Sequence, residues 1–185
     1  AGTFLPMFWA DKDDFILTQT VVDSAMSHYQ SRYNLYGTAS HTVPSGHSLA
    51  PWGWSRCTRS EFIRAGAEQS LLPDNATLEY QRQLSHRRTA IAINRALGVD
   101  NSMMAVEATS IEQARDAVAQ MGSAVIKLPW SSSGRGVIYS SQIAPENFNS
   151  YVGGMIAHQG SVTIEPRLNR LQDFAALFFS DGKRV

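Results

Sequence analysis

The chain has 185 residues, of which 43% are hydrophobic, so it is long enough to bury a core. Its 16 basic residues balance its 16 acidic ones, which argues against a broad nucleic-acid or membrane surface and favours a small-molecule partner. Cys57 is the single cysteine and cannot form an internal disulfide, and no stretch is long and apolar enough to span a bilayer, so the sequence predicts a cytoplasmic protein.

The first eighty residues predict one β-α unit followed by irregular structure. Residues 14–19 are typical of a strand, and residues 22–33 carry apolar side chains at helical spacing. Residues 34–48, rich in Gly, Ser, Thr, His and Pro, predict a long loop. A helix is expected over residues 58–65, and residues 75–77 are expected to lie in a loop.

Two groups of side chains in this half suggest binding sites. Trp52 and Trp54 flank a glycine and form either a ligand platform or an anchor on the core, and their spacing favours the anchor. The side chains that a transition metal would accept are His28, His41, His47 and Cys57. Their spacings fit no zinc pattern, so we predict no zinc site.

Helices and strands alternate from residue 84 onward. Residues 84–98 predict a helix that runs into a Leu-Gly-Val turn, and residues 103–106 predict a short strand. Residues 109–120 predict a second helix, with Ser110 as its N-cap and Gln113 completing a capping box. The remaining predicted elements are a broken helix over residues 145–157, strands over residues 161–165 and 174–179, and a hairpin turn at residues 180–183.

The most informative segment, residues 124–140, predicts a strand, a loop rich in Ser and Gly, and a second strand. Gly134 and Gly136 permit positive φ, so that successive backbone amides can converge on an anion. The three preceding serines add hydroxyl donors, and Lys127 adds a point charge. Such a loop can hold a polyphosphate, although an ordinary hairpin loop with a solvated lysine is the alternative.

Two familiar motifs are excluded in this segment. No Gly-Lys-Ser/Thr sequence closes the loop onto a helix, so it is not a Walker A motif, and it lacks the dinucleotide-binding glycine pattern. No Gly-x-Ser-x-Gly elbow surrounds the serines, so a nucleophilic role is not predicted for them.

This order of elements resembles the N-terminal part of the ATP-grasp domain, from about Leu84 onward. The segment before it resembles the region that precedes this domain in some bacterial proteins. The resemblance implies an α/β protein with an α+β grasp subdomain. It places an incomplete, Rossmann-like pre-ATP-grasp region at residues 1–83 and an incomplete first ATP-grasp subdomain at residues 84–185.

The resemblance also implies ATP as a ligand and suggests roles for individual residues. Glu165 would lie near the exocyclic amine of adenine, Leu168 would pack on the purine, and Asp173 would meet the ribose hydroxyls unless it is a surface acid. Arg87 takes the place of the family's first phosphate-binding lysine, with His86 in place of the preceding acid. The predicted nucleotide-binding residues are therefore Arg87, Lys127, Ser131, Ser132, Ser133, Gly134, Arg135, Gly136, Glu165, Leu168 and Asp173, of which Arg135 is alternatively a solvated side chain at the loop tip.

The function that the resemblance implies is that of an ATP-dependent ligase. Such an enzyme would activate a small carboxylic acid as an acylphosphate for attack by an amine or a similar nucleophile. The acidic and Asn ligands of Mg²⁺ belong to a later subdomain of the family, so residues 1–185 are expected to be part of a longer protein and inactive alone. The alternatives are a noncatalytic nucleotide-sensing or protein-binding module and a small-molecule kinase; the sequence specifies neither the acceptor nor the oligomeric state.

Overall fold

The structure is a computed structural model that describes residues 5–18, 23–169, 171–173 and 175–176. It divides into two compact units, Ala1–Leu84 and Ser85–Val185. Helices and short strands are mixed in both units, which confirms the mixed α/β and α+β fold class predicted from the sequence. The hairpin turn predicted at residues 180–183 and most of the strand predicted at residues 174–179 lie outside the described residues.

The described residues of the first unit form a two-stranded parallel sheet and three helices. Its elements are β1 (Phe15–Leu17), α1 (Asp23–Tyr33), β2 (Thr38–Ser40), α2 (Arg56–Arg64) and α3 (Asn75–Leu84), with 3-10 turns at Leu5–Phe8 and Gln69–Leu71. Strands β1 and β2 pair in parallel, with Ile16 opposite Ala39. Met7, Ile16 and Met26 form the small buried core of this unit.

Three predictions for this unit are wrong in part. Strand β2 lies inside the segment that was expected to be a loop. Only three of its residues pair with β1, and they show no strand pattern of their own, so the sequence does not predict this strand. Helix α3 begins at Asn75, where a loop was expected, because the Asp74 carboxylate accepts from the Thr77 amide at 2.7 Å and caps the first turn. Trp54 packs against an aromatic neighbour, but Trp52 is 96% exposed and is no anchor.

In the second unit, the part of the chain that the structure describes forms three helices and a four-stranded sheet. Its elements are α4 (Arg87–Ala96), β3 (Val106–Ala108), α5 (Ile111–Met121), β4 (Ala124–Lys127), β5 (Val137–Tyr139), α6 (Phe148–Gln159) and β6 (Val162–Pro166), with 3-10 turns at Asn101–Met103, Ser140–Gln142 and Pro145–Asn147. The predicted strand over residues 103–106 is therefore displaced to Val106–Ala108. The Asp100 carboxylate accepts from the Ser102 amide at 2.7 Å and turns the preceding residues into a 3-10 helix.

The predicted N-terminus of α5 is confirmed at its cap. The Ser110 hydroxyl accepts from the Gln113 amide at 3.3 Å, which satisfies one of the free amides of the first turn. The Gln113 side chain reaches back to the amide of Thr109 at 2.8 Å, one residue earlier than a standard capping box requires. The Ser110–Gln113 pair therefore fixes where the chain turns from β3 into the helix.

The sheet has the order β3-β6-β4-β5, and every neighbouring pair is antiparallel. Ile126 of β4 lies opposite Ile164 of β6 at its centre, and both are fully buried. Because side chains alternate along a strand, one face of the sheet is apolar and packs on α5 and α6. The buried residues of this core are Ala108, Ala114, Ala117, Ala124, Ile126, Val152, Val162 and Ile164.

The opposite face of the same sheet carries polar and charged side chains. By the same alternation it presents Glu107 from β3, Thr163 and Glu165 from β6, and Val125 and Lys127 from β4. We call this set the Lys127 face. It lies beside the loop that follows Lys127, so the fold brings the predicted phosphate and adenine residues to one side of the sheet.

Candidate functional site

Lys127 and Glu165 form an ion pair on the Lys127 face. In the register of β4 and β6, Lys127 lies opposite Thr163 and Glu165 lies opposite Val125, so the two charged residues are diagonal neighbours. The Lys127 ammonium donates to Oε1 of Glu165, and the two side chains are 21% and 34% exposed. The structure thus brings together two residues that were predicted separately, one for the phosphates and one for adenine.

Two further polar residues on this face were not predicted from the sequence. Thr163 is 2% exposed, and its hydroxyl has no hydrogen-bond partner among the described residues. Glu107, its neighbour on β3, accepts from the Ser161 hydroxyl at 2.7 Å. The alternating pattern of residues 161–165 signals that Thr163 shares a face with Glu165, but the three-residue strand β3 carries no comparable signal.

The Ser/Gly loop, residues 128–136, is held firmly at its base. The Leu128 amide donates to the Gly136 carbonyl at 2.8 Å, which closes the loop at the end of the hairpin. The Ser131 hydroxyl donates to the Leu128 carbonyl at 3.0 Å, and the Trp130 amide donates to Oε1 of Gln159 in α6 at 3.0 Å. These bonds fix the first half of the loop to the sheet and to α6.

Arg87 binds the same part of the loop from the first turn of α4. Its Nε donates to the Leu128 carbonyl at 3.0 Å, and its Nη2 donates to the carbonyl and hydroxyl oxygens of Ser131 at 3.0 and 3.2 Å. Its backbone amide donates to the Pro129 carbonyl at 3.3 Å. The guanidinium predicted to contact phosphate is therefore engaged in holding the loop.

The tip of the Ser/Gly loop, unlike its base, is exposed to solvent. Ser133 and Gly134 take positive φ of 53° and 74°, and the Arg135 amide donates to the Ser132 carbonyl at 3.1 Å. Within the described part of the chain, the amides of Ser132, Ser133 and Gly134 have no acceptor. Ser132 through Arg135 are exposed, so three amides, two hydroxyls and one guanidinium are available to a ligand at the tip.

The last two predicted ligand residues lie beyond β6. Leu168 is 60% exposed, and Asp173 is exposed as well. The described contacts give Leu168 no place in the buried core of the unit. A purine contact for Leu168 and a ribose contact for Asp173 therefore stay predictions.

The described residues contain neither a cluster suited to a metal ion nor a helix suited to crossing a membrane. Within residues 5–18, 23–169, 171–173 and 175–176, no group of three or more His, Cys, Asp or Glu side chains could hold a metal ion. No helix in those ranges has both the length and the apolar character that crossing a membrane requires.

Comparison with known proteins gives one distant likeness. No protein-family model matches the chain, and neither does any curated protein. Among solved structures, D-alanyl-alanine synthetase A from Vibrio cholerae O1 biovar eltor str. N16961, an ATP-grasp ligase, matches with a TM-score of 0.41 and 17% identity. The match covers 60% of this chain and 33% of the synthetase, so the chain spans about a third of that protein's length.

Proposed function

We propose that the second unit binds the triphosphate of ATP and serves as part of an ATP-dependent carboxylate ligase. The observation that carries this proposal is the position of Lys127. It lies beside Glu165 on one face of the sheet, and the loop that begins at the next residue has three amides without acceptors among the described residues. A cation at the base of a loop whose exposed tip carries amides without acceptors among the described residues is a suitable combination for a polyphosphate.

The residues present fit ATP in their donors and acceptors. The triphosphate needs cations and N–H donors, which Lys127, Arg135 and the loop tip supply. Adenine presents an exocyclic amine, for which the Glu165 carboxylate is an acceptor. Arg87 has a supporting role in this arrangement, because its bonds to Leu128 and Ser131 hold the base of the loop while the tip stays available.

The reaction that we propose is phosphoryl transfer to a small carboxylic acid. A carboxylate oxygen would form a bond to the γ-phosphorus of ATP while the bond to the β,γ-bridging oxygen breaks and ADP leaves. An amine would then attack the acylphosphate carbonyl, lose a proton and expel phosphate. Lys127 and the loop amides would favour this transfer by holding the phosphate oxygens where negative charge must be balanced.

A divalent metal ion, where bound, supplies further neutralisation of the phosphates in such reactions. The described residues do not fit that role, because they contain no cluster of three or more suitable His, Cys, Asp or Glu ligands. We therefore assign no metal ligand and derive no step from a metal in this part of the chain.

The test is calorimetric titration of ATP into the wild-type chain and into Lys127→Met. Loss of one hydrogen bond to a charged group is worth about 1.5–3 kcal/mol, so we expect Lys127→Met to weaken binding by roughly 10- to 100-fold. Lys12→Met is the matched control, because Lys12 lies over the Tyr36 ring in the first unit and should leave affinity unchanged.

A second variant separates binding from stability. Lys127→Met leaves the Glu165 carboxylate without its ammonium partner, which destabilises a partly buried site. The double variant Lys127→Met/Glu165→Gln removes both charges, and we expect it to fold like wild type and still bind ATP weakly. Wild-type affinity in the double variant, or a wild-type chain that does not bind ATP, would refute the proposal.

A further inference from the structure

A buried histidine caps the helix that carries Arg87. His86 is 3% exposed and occupies the N-cap of α4, where its ring Nδ1 accepts from the Arg88 amide at 3.1 Å. The first amides of a helix have no partner within the helix, so they depend on such an acceptor. An imidazole nitrogen accepts only when it carries no proton, so the cap requires the neutral ring with its proton on Nε2.

The surroundings of the other ring nitrogen agree with that tautomer. Nε2 of His86 lies 3.5 Å from Oε1 of Glu107, the oxygen that also accepts from the Ser161 hydroxyl. The His86 ring meets the Trp130 ring edge to face, with centroids 4.5 Å apart. The carboxylate on one side and the helix amide on the other therefore select the ring orientation and place the proton on Nε2.

Among the described residues, the charged groups around the ring have opposing effects on its protonation. From β3, the Glu107 carboxylate favours an imidazolium. From α4, the positive end of the helix and the cations Arg87 and Arg88 disfavour it. The β4–β5 hairpin contributes the uncharged Trp130 ring, and the Ser161 hydroxyl, just before β6, donates to the Glu107 carboxylate.

Protonation at Nδ1 has a direct structural consequence. The new N–H would face the Arg88 N–H, so the cap would be replaced by two opposed donors. The turn that loses its cap is the one from which Arg87 holds the Leu128 and Ser131 carbonyls. His86, whose protonation would break the cap, and Arg87, which holds the loop, are adjacent in the sequence.

We propose that His86 is a positioning residue that makes the hold of Arg87 on the Ser/Gly loop, and through it the binding of ATP, dependent on pH. This inference rests on the proposed function of the loop. At neutral and alkaline pH the cap is intact, Arg87 is fixed and the loop is ready for the triphosphate. On acidification the cap is lost, the first turn of α4 loosens, and the loop loses its support.

The binding test compares wild type with His86→Asn across pH. Asparagine is a good N-cap that does not titrate in this range, so the variant keeps the cap and removes the switch. Between about pH 8 and about pH 5.5, we expect ATP affinity of the wild type to fall about fivefold more than that of His86→Asn, the effect of losing one helix cap. The protonation of ATP itself is common to both proteins, and equal pH dependence in the two would overturn the inference.

A measurement without nucleotide separates this inference from the proposed function. Nitrogen NMR of the free protein should show His86 with the proton on Nε2 and Nδ1 bare at neutral pH. Protection of the Arg88 amide against hydrogen exchange should fall on acidification in the wild type and not in His86→Asn. A proton on Nδ1 at neutral pH, or unchanged protection, would refute the switch even if ATP binds; absence of ATP binding with a titrating cap would refute only the proposed function.

Glu107→Gln provides a second variant if His86→Asn does not fold. The uncharged glutamine side chain stabilises an imidazolium less than the Glu107 carboxylate does. The Arg88 backbone amide should therefore lose its protection against hydrogen exchange at a lower pH than in the wild type. If the Arg88 amide lost its protection at the same pH in Glu107→Gln as in the wild type, the Glu107 carboxylate would not act on His86, and the role of this buried ring in the switch would be contradicted.

Discussion

Gly136→Ala tests whether the Ser/Gly loop depends on its backbone geometry. Gly136 has φ of 62°, and a left-handed conformation costs a residue with a Cβ about 1–2 kcal/mol. An added Cβ would lie 2.6 Å from Cδ1 and 3.0 Å from Cγ of Leu128. The amide and the carbonyl of Leu128 are both hydrogen-bonded, so its backbone and its Cβ, which would lie 3.1 Å from the added Cβ, cannot easily move away. Overpacking of this kind costs about 1–3 kcal/mol. We therefore expect Gly136→Ala to lower the free energy of unfolding by about 2–5 kcal/mol.

Gly134→Ala is the matched control in the same loop. Gly134 has a similar φ of 74°, but no atom lies within 4 Å of the position that its Cβ would take. Its cost should be only the left-handed conformation, about 1–2 kcal/mol. Urea unfolding of both variants and of wild type gives the two differences directly. Equal destabilisation by the two substitutions would show that the contact with Leu128 does not restrict the loop, and the reasoning about a fixed loop base would fail.

Two further predictions concern stability away from the site. Gly154→Ala in α6 places a Cβ in open space, so thermal unfolding should show a gain of about 0.5–1 kcal/mol, and a loss would contradict it. The backbone hydrogen bond from Thr77, followed by its side-chain hydrogen bond, lowers the pKa of Asp74 from its ordinary value of 3.8. Because the folded-state pKa is the lower one, Asp74 stabilises the fold above the unfolded-state pKa, and this contribution is lost as the pH falls through the folded-state pKa. Asp74→Asn keeps the cap without the charge, so its deficit in urea midpoint relative to wild type should be present at neutral pH and vanish in acid; a deficit independent of pH would refute the assignment.

The sequence predicted those parts of the second unit that depend on local pattern. Ser110 marked the start of α5 because a cap and its first turn are adjacent in the chain. The segment around Lys127 was recognised as two strands and a loop because β-branched residues flank a run of Ser and Gly. The alternation through Thr163 and Glu165 likewise predicted β6.

Features that depend on distant partners were missed or misplaced. Strand β2 exists because Thr38–Ser40 meets β1, and three residues without an apolar pattern give no signal of that pairing. Helix α3 is an exception, because its Asp74 cap acts on Thr77 only three residues later, so the start of this helix has a local signal in the sequence. The burial of His86 against Glu107 and the bonds of Arg87 to Ser131 join residues that are far apart in sequence, so neither contact could be predicted. The phosphate role predicted for Arg87 came from the resemblance to the ATP-grasp domain.

The order of strands in the second unit has a consequence for its synthesis. β6 lies between β3 and β4, although its residues are the last of the four strands to leave the ribosome. Until then β4 can pair only with β5, β3 lacks β6, its neighbour in the four-stranded sheet, and the apolar faces of α5 and α6 lack Val162 and Ile164. Joining β3 to β6 closes a long stretch of chain, which is slow relative to forming a hairpin. The four-stranded sheet therefore completes in a late step, and a nascent chain that stops before residue 162 leaves the apolar faces of α5 and α6 without two of their buried partners.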